Sequence, residues 1–410
     1  MKEILMPSLS PRAAIALGAV SISVLAVTGC TGTEATPSGS ATESICSELI
    51  TFVVAVDRAN QAPGVSSALA EILDRGIADG ASFALIESDG TPSIVASGYR
   101  PDISNSNADA HEKDIANATK TLMNGISAMK ADSDGNDTLG AVSLAADAAT
   151  SSDVACNTIV VIGAGNSDRG ELDVTEPGMV QASGTEVADA LAARGALPRF
   201  GEVRTDVVMT GAGYTAAGSA QTPLRQADRD NLTAIYTRVF ETAGASTVTD
   251  LRVPRTGNGP STEYTVTPIP ITAPTPLNLC GTTVFDNTSQ LGFIEGTAKF
   301  RDPDAAGHTL SELATRLASD TRFRADIVGT TANWGSDEYQ INLSTDRATT
   351  AADMLIEAGA PREQITTDGV GSEFSGYNPA ELQPDGNLDP VIADTNRTVR
   401  ITVAASRGGC

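Results

Sequence analysis

The run ELITFVVAVD, residues 48–57, sets the first constraint on the fold. It is apolar almost without a break and ends in an acid, the pattern of a strand buried on both faces. NTIVVIG (157–163) reads as a second buried strand and TDVVMTG (205–211) as a further strand, and the stretches between carry helical spacing. VSSALAEILDRG reads as a helix with Gly76 as its expected stop. ASFALIE and SIVASGY are two further strands joined by the turn residues SDGTP. EKDIANATKTLMNGISAMK places Ile115, Ala118, Leu122, Ile126 and Met129 on one helical face, and LGAVSLAADAA, VADALAARG and RDNLTAIYTRVFETAG are further helices. This alternation over residues 45–251 predicts a mainly parallel, doubly wound α/β sheet covered on both faces.

The pattern changes at RVPRTGNGPSTEYTVTPIPITAPTP, residues 252–276, where alternating prolines argue against a central strand. It is expected to be an extended linker or, in part, a pair of edge strands. From residue 277 to 410 the order is shorter: LGFIEG as a strand, HTLSELATRLASD as a helix, RFRADIVGTTA as a strand, STDRATTAADMLIEAGA as a helix, then ITTDGVG and RTVRITV as strands. Val399, Ile401 and Val403 alternate in the last of these, so this is an α+β unit with helices on one face of a small mixed sheet.

The formal net charge of −24 opposes nucleic acid and anionic surfaces as partners. His111 and His308 are the only histidines, and no His or Cys pair stands at metal-ligand spacing, which argues against a zinc site or a histidine-based triad. The N-terminus has a basic start (Lys2, Arg12), the apolar run AAIALGAVSISVLAV and the close VTGC. That run is short for a membrane span and fits a signal-peptide core. Its end resembles a bacterial lipobox, which implies that the Cys30 thiol receives diacylglycerol and becomes the new N-terminus. Two acyl chains, at about 0.8 kcal/mol per buried CH₂, anchor stably. Residues 1–29 are then a signal peptide and 30–44 a flexible tether. Cys46, Cys156, Cys280 and Cys410 remain, an even number in an exported chain. Of the three pairings possible, Cys46–Cys156 with Cys280–Cys410 is expected, because each bond then lies within one unit.

In the C-terminal unit the ordered blocks GTTA, GSDEYQINLSTDRA, DMLIEAGAPREQITTDGVGSE and DTNRTVRITV resemble the OmpA-like peptidoglycan-binding domain. The resemblance covers roughly the last 120 residues. It implies that the helix carrying Leu343, Ser344, Arg347 and Ala348 presents Arg347 to a carboxylate of the peptide stem of the cell wall. A planar guanidinium suits that role, pairing with a carboxylate through two parallel hydrogen bonds. With a helix opening near Ser344, Arg347 would stand in the first turn, where free backbone donors and the dipole favour an anion. Phe293, Glu295 and Gly296 are expected to contribute contacts, and the closing motif appears as Asn396, Arg397, Thr398 and Val399. One departure stands out: the family's Gly-x-Thr-Asp is Gly329, Thr330, Thr331, Ala332 here, so the aspartate that grips an ammonium is missing. Loss of one charge-assisted hydrogen bond, about 1.5–3 kcal/mol, weakens binding roughly ten- to a hundredfold. Asp337, Glu338 and Asp394 are candidate substitutes, and Gln340 stands where an asparagine is common. A structural ion pair of Arg347 with Asp353 or Asp394 is the competing reading.

Residues 45–251 resemble a von Willebrand factor A-type (vWA-like) domain through VVAVDRANQ, GNDTLGAVSLAADA and IVVIGAGNSDRG. In that family these three places build a magnesium site from oxygen ligands. Asp57 and Thr138 are kept, but Ala59 and Gln61 replace two serines, Ala164 replaces an aspartate, and Arg58 adds a cation. The site is therefore degenerate, with Asp168 or Asp137 as the available substitutes, and no metal or other cofactor is expected. No nucleophile has a base at recognisable spacing, so the chain reads as non-enzymatic. The expected whole is a lipid-anchored envelope protein on the extracytoplasmic face of the cell membrane. Its OmpA-like domain would bind peptidoglycan, and its vWA-like domain would offer a surface to a protein partner. The alternative is a metal-dependent adhesion or sensor protein acting through the vWA-like domain.

Overall fold

The structure, a computed structural model, describes residues 46–62, 66–252 and 257–406. Cys30, the expected site of lipidation, the expected signal peptide and tether (1–44) and Cys410 lie outside the described residues.

The first sheet is laid down by β1 (Glu48–Ala55), α1 (Ser67–Ala78), β2 (Ser82–Ser88), β3 (Ser93–Tyr99), α2 (Ala108–Ala128), α3 (Thr138–Thr150), β4 (Cys156–Ile162), α4 (Gly184–Ala193), β5 (Arg204–Thr210), α5 (Gln226–Thr242) and β6 (Thr247–Asp250). Its strand order is β3-β2-β1-β4-β5-β6, parallel throughout except for β3, which runs antiparallel to β2 at one edge. Central β1 is apolar without alternation because both its faces are covered. Ile50, Phe52 and Val54 pack with Leu69, Leu73, Leu122 and Ile126 of α1 and α2. Val53 faces the opposite core, built from α3, α4 and α5 through Val142, Leu191 and Ile235. β3 is exposed along its length, as its place at the edge allows.

Gly76 does not stop α1. The helix passes it and ends at Ala78, with Gly80 taking the positive φ of 75°. Gly76 instead faces the sheet, where an added Cβ would meet Ile50 Cδ1 at 2.2 Å, so close packing explains the residue. Cys46 and Cys156 are joined by a disulfide, their Cα atoms 5.9 Å apart, which ties the entry of β1 to its neighbour β4. The other expected bond, Cys280–Cys410, ends on a residue outside those described.

The second sheet follows with β7 (Gly281–Asp286), α6 (Pro303–Ser319), β8 (Phe323–Gly329), α7 (Asp337–Glu357), β9 (Ile365–Gly369), α8 (Pro390–Asn396) and β10 (Thr398–Ala405). Its order is β7-β10-β8-β9, with only β8 and β9 parallel. Ala325 and Ile327 of β8 point into a core shared with Leu310, Leu313 and Leu317 of α6 and Ala348, Ala351 and Leu355 of α7. The stretch LGFIEG is not a strand but a loop closed by one bridge, Phe293 to Phe300, whose rings stack at 4.7 Å. β7, with the sequence GTTVFD, is the strand that opens this sheet instead.

Among its described residues the proline-rich connection forms no ladder strand, and it is laid along the first sheet's loops rather than standing free. Arg58 N donates to Tyr264 O at 3.1 Å, and Gly135 N to Thr265 O at 2.7 Å. Thr267 N donates to Asp168 Oδ2 and Ile269 N to Gln221 Oε1, each at 2.7 Å, with Val266 and Ile269 buried. Hydrogen-bonding its backbone to loop N–H groups and side-chain oxygens lets a segment without ladder partners lie against the protein.

Candidate functional site

A cavity of about 130 Å³ lies where the second sheet's loops meet the start of α4. Phe293, Glu295 and Gly296 line it from one loop, Ala332 from the end of β8, and Leu343 and Arg347 from α7. Arg397 also lines it, together with Ser183, Glu186 and Asp189 from the start of α4.

Arg347 is 3% exposed. Its Nε donates to Thr297 O at 3.0 Å, and its guanidinium carbon stands 5.1 Å from the Phe293 ring centroid. Among the described residues no carboxylate lies within ion-pair distance of it: Asp353 pairs with Arg362, and Asp394 with Arg397. Burial, helped by the like charge of Arg397, brings its pKa down to about 10, which leaves it cationic at neutral pH.

Arg347 does not stand in a first helical turn. Ser336 caps α7, accepting from Tyr339 N at 3.2 Å, and Asp337 and Glu338 fill the first turn. Arg347 is therefore about 15 Å along the helix at 1.5 Å per residue, beyond the reach of the terminal dipole. What places it is packing on either side. Ser344 accepts from Gly371 N at 3.0 Å and lies against Gly329, where a Cβ would meet Ser344 O at 2.0 Å. Ala348 is fully buried against the sheet. Helix and strand thus approach so closely that the next turn must present Arg347 sideways into the cavity.

The missing aspartate leaves an apolar wall: Ala332 is buried with Leu388 and Ala393. Asp337 and Glu338 are exposed on the first turn of α7 and do not line the cavity. Asp394 does line it, but its Oδ1 accepts from Asn287 Nδ2 at 3.0 Å and Arg397 Nη1 at 2.9 Å. Asn396 is buried outside the cavity. Its Nδ2 donates to Glu381 Oε2 at 2.6 Å and Asn378 O at 2.9 Å, and its Oδ1 accepts from Asn378 N. It therefore holds the 378–381 loop to the root of β10. Gln340 is likewise inward, donating to Asn333 Oδ1 at 3.1 Å.

Arg397 is held from two sides. It donates to Asp394 and, in fork geometry, to both carboxylate oxygens of Glu186, Nη1 reaching Oε2 at 3.1 Å. Burial works against the charge on Arg397, but Glu186 and Asp394 outweigh it and raise its pKa overall. Burial pushes the Glu186 carboxyl up to about 7 against the pull of Arg397. Glu186 and Trp334 were not among the residues the sequence singled out. Glu186 is 211 positions from its partner and carries no motif. Trp334 is the chain's single tryptophan, 63% exposed at the cavity mouth beside Tyr339, and that uniqueness was the available signal.

At the C-terminal ends of β1 and β4 the second set of expected residues comes together differently. Asp57 is fully buried and accepts from Ala59 N (2.9 Å), Asn60 N (3.3 Å), Asn60 Nδ2 (2.7 Å) and Asn136 Nδ2 (3.0 Å). Burial raises its pKa, with these donors opposing the shift. Thr138 does not touch it but donates to Asn136 Oδ1 at 3.0 Å. Ala164 N donates to Asn60 Oδ1, and Gln61 is buried nearby. Asp168 accepts from Asn136 N and Thr267 N, while Asp137 caps α3 by accepting from Gly140 N. Among the described residues no three His, Cys, Asp or Glu side chains converge as metal ligands.

Residues 293–381 form an OmpA family domain. A stretch of 66 residues is 36% identical to YfiB of Escherichia coli (strain K12), a protein described as a lipoprotein. That stretch covers 16% of this chain and 41% of YfiB. Among solved structures, the peptidoglycan-associated lipoprotein of Burkholderia pseudomallei is 22% identical, over 30% of this chain and 89% of that one, with a TM-score of 0.23. The periplasmic domain of Helicobacter pylori MotB is 17% identical over 30% of this chain and 82% of its own, with a TM-score of 0.24. The cell wall anchor of the Pseudomonas aeruginosa T6SS is 20% identical over 30% and 81%, with a TM-score of 0.23. The cavity walls at Phe293, Ala332, Leu343 and Arg347 all belong to the OmpA family domain, whereas Arg397 lies beyond the matched residues.

Proposed function

We propose that this chain is a non-enzymatic envelope lipoprotein that binds peptidoglycan non-covalently through its OmpA family domain. Arg347 is the group that grips a free carboxylate of the wall peptide, with Phe293 and Leu343 as the apolar sides of the seat. The observation that carries this reading is a buried guanidinium facing a cavity with, among the described residues, only a carbonyl and an aromatic ring as partners. A buried cation without an anion is costly, so the site favours a ligand that supplies one.

In the same reading Cys30 carries the diacylglycerol anchor, so the protein sits on the extracytoplasmic face of the cell membrane and reaches the wall through its C-terminal sheet. The N-terminal sheet serves as a vWA-like module for a protein partner. Its strand order, with the antiparallel edge strand β3, supports that assignment. The amide donors that saturate Asp57 count against a metal-dependent adhesion role. Sedimentation with purified cell walls tests the central part. Arg347→Ala should reduce the bound fraction by about ten- to a hundredfold in affinity, and Arg347→Lys should fall between, since it keeps the charge but loses the fork. An Arg347→Ala protein that sediments like the parent would overturn the proposal.

A further inference from the structure

The cavity holds two guanidinium groups but leaves only one of them open. Arg347 has no carboxylate within ion-pair distance among the described residues, whereas both terminal nitrogens of Arg397 are taken by Glu186, and one also by Asp394. Glu186 comes from a different sheet, on the first turn of α4, and its seat is built rather than accidental. Ser183 caps that helix by accepting from Glu186 N at 3.2 Å. Val187 and Leu191 anchor α4 in the core, and Gly184 brings it against α5, where a Cβ would meet Ala234 O at 3.1 Å. Asn231 fastens the preceding loop by donating to the carbonyls of Val180 and Ala182 at 2.8 and 2.9 Å. The side chains of Glu186 and Arg397 are each 13% exposed.

We infer that Glu186 acts as a built-in carboxylate that fills one of two guanidinium seats, restricting the cleft to ligands that offer a single free carboxylate. This rests on the reading that Arg347 receives a wall carboxylate and adds which ligands it accepts. A first carboxylate finds Arg347. Above about pH 7, where Glu186 is ionised, a second carboxylate on the same ligand would meet Glu186, Asp394 and Glu295, three carboxylates that line the same cavity. Glu186 is thus a specificity-determining residue supplied from outside the OmpA family domain.

The test follows Trp334 fluorescence in the full chain at about pH 8, above the titration of Glu186, and the reporter is clean because no other tryptophan is present. N-acetyl-D-alanine offers one carboxylate and N-acetyl-D-glutamate two. The parent should bind the monoacid more tightly than the diacid. Glu186→Ala, which opens Arg397, should raise diacid affinity by about tenfold relative to the monoacid. Adding Arg397→Gln to that variant should remove the gain. Thermal unfolding checks folding, and if the alanine variant is not folded, Glu186→Gln should still raise the diacid's relative affinity about threefold by removing the repelling charge. A parent that prefers the diacid, or a folded Glu186 variant with an unchanged ratio, would overturn the inference alone. No saturable response to either compound in the parent would overturn the carboxylate-binding reading as well.

Discussion

The guanidinium of Arg347 lies over the ring of Phe293, 5.1 Å from its centroid, and the ring is itself pinned by Phe293 N donating to Asn287 Oδ1 at 2.7 Å. The aromatic face therefore does two things: it desolvates the cation and attracts it. Cation–π attraction in a dry site amounts to about 1–2 kcal/mol. Phe293→Leu keeps an apolar wall but removes the ring face, so affinity for purified walls should drop roughly five- to thirtyfold. Sedimentation across a wall titration reads this directly, and unchanged binding would show that the ring serves only the core.

Asn396 is expected to matter for stability rather than for contact. It makes three hydrogen bonds to the 378–381 loop from a buried position, one of them to the Glu381 carboxylate. Asn396→Ala strands that carboxylate oxygen, a loss of about 2–4 kcal/mol. Urea unfolding checks the figure. A variant of full stability that no longer binds walls would instead make Asn396 a ligand contact.

Glu186 should couple stability to pH. Its carboxyl rises from 4.5 to about 7 in the folded protein, through burial first, with Arg397 opposing and Asp394 and Glu295 adding to the rise. Between those values the folded state holds a proton that the unfolded chain has released. The carboxyl's contribution therefore favours the fold at low pH and is lost as pH climbs from about 4.5 through about 7, on the order of 2–3 kcal/mol. Glu186→Gln cannot titrate. The stability of the parent minus that of the variant should fall by this amount between about pH 4.5 and pH 7.5 in urea titrations. A constant difference would mean that the pull of Arg397 keeps Glu186 ionised throughout.

The Cys46–Cys156 bond closes a span of 110 positions. Chain-entropy reasoning gives about 4.7 kcal/mol for a loop near this length, with about 2–5 kcal/mol typical when a native bond is removed. Replacing both cysteines with serine should lower the urea midpoint accordingly. An unchanged midpoint would show that β1 and β4 pair without help from the bond.

The parts of the fold that could be read from the chain are those whose chemistry is local. β1 and β4 are apolar because both faces are covered, and their runs say so. β6, β7 and α8 went unread because TVTD, GTTVFD and PVIADTN are short and largely polar, edge or terminal pieces whose periodicity is too brief to register. The start of α7 was missed although Ser336 followed by Asp337 and Glu338 is a capping signal, because exposed Tyr339 and Ile341 disguise the helical face. At the site, Arg347 and Leu343 were legible through their ordered motif. Glu186 was not: an ion pair between two sheets leaves no spacing in the sequence to find.

The most direct measurement is a crystal structure of the protein with a soluble peptidoglycan fragment bearing one free carboxylate. The account predicts that carboxylate within hydrogen-bond distance of the Arg347 terminal nitrogens, with Glu186 still on Arg397. A fragment bound elsewhere on the protein while this cavity stays closed would contradict it.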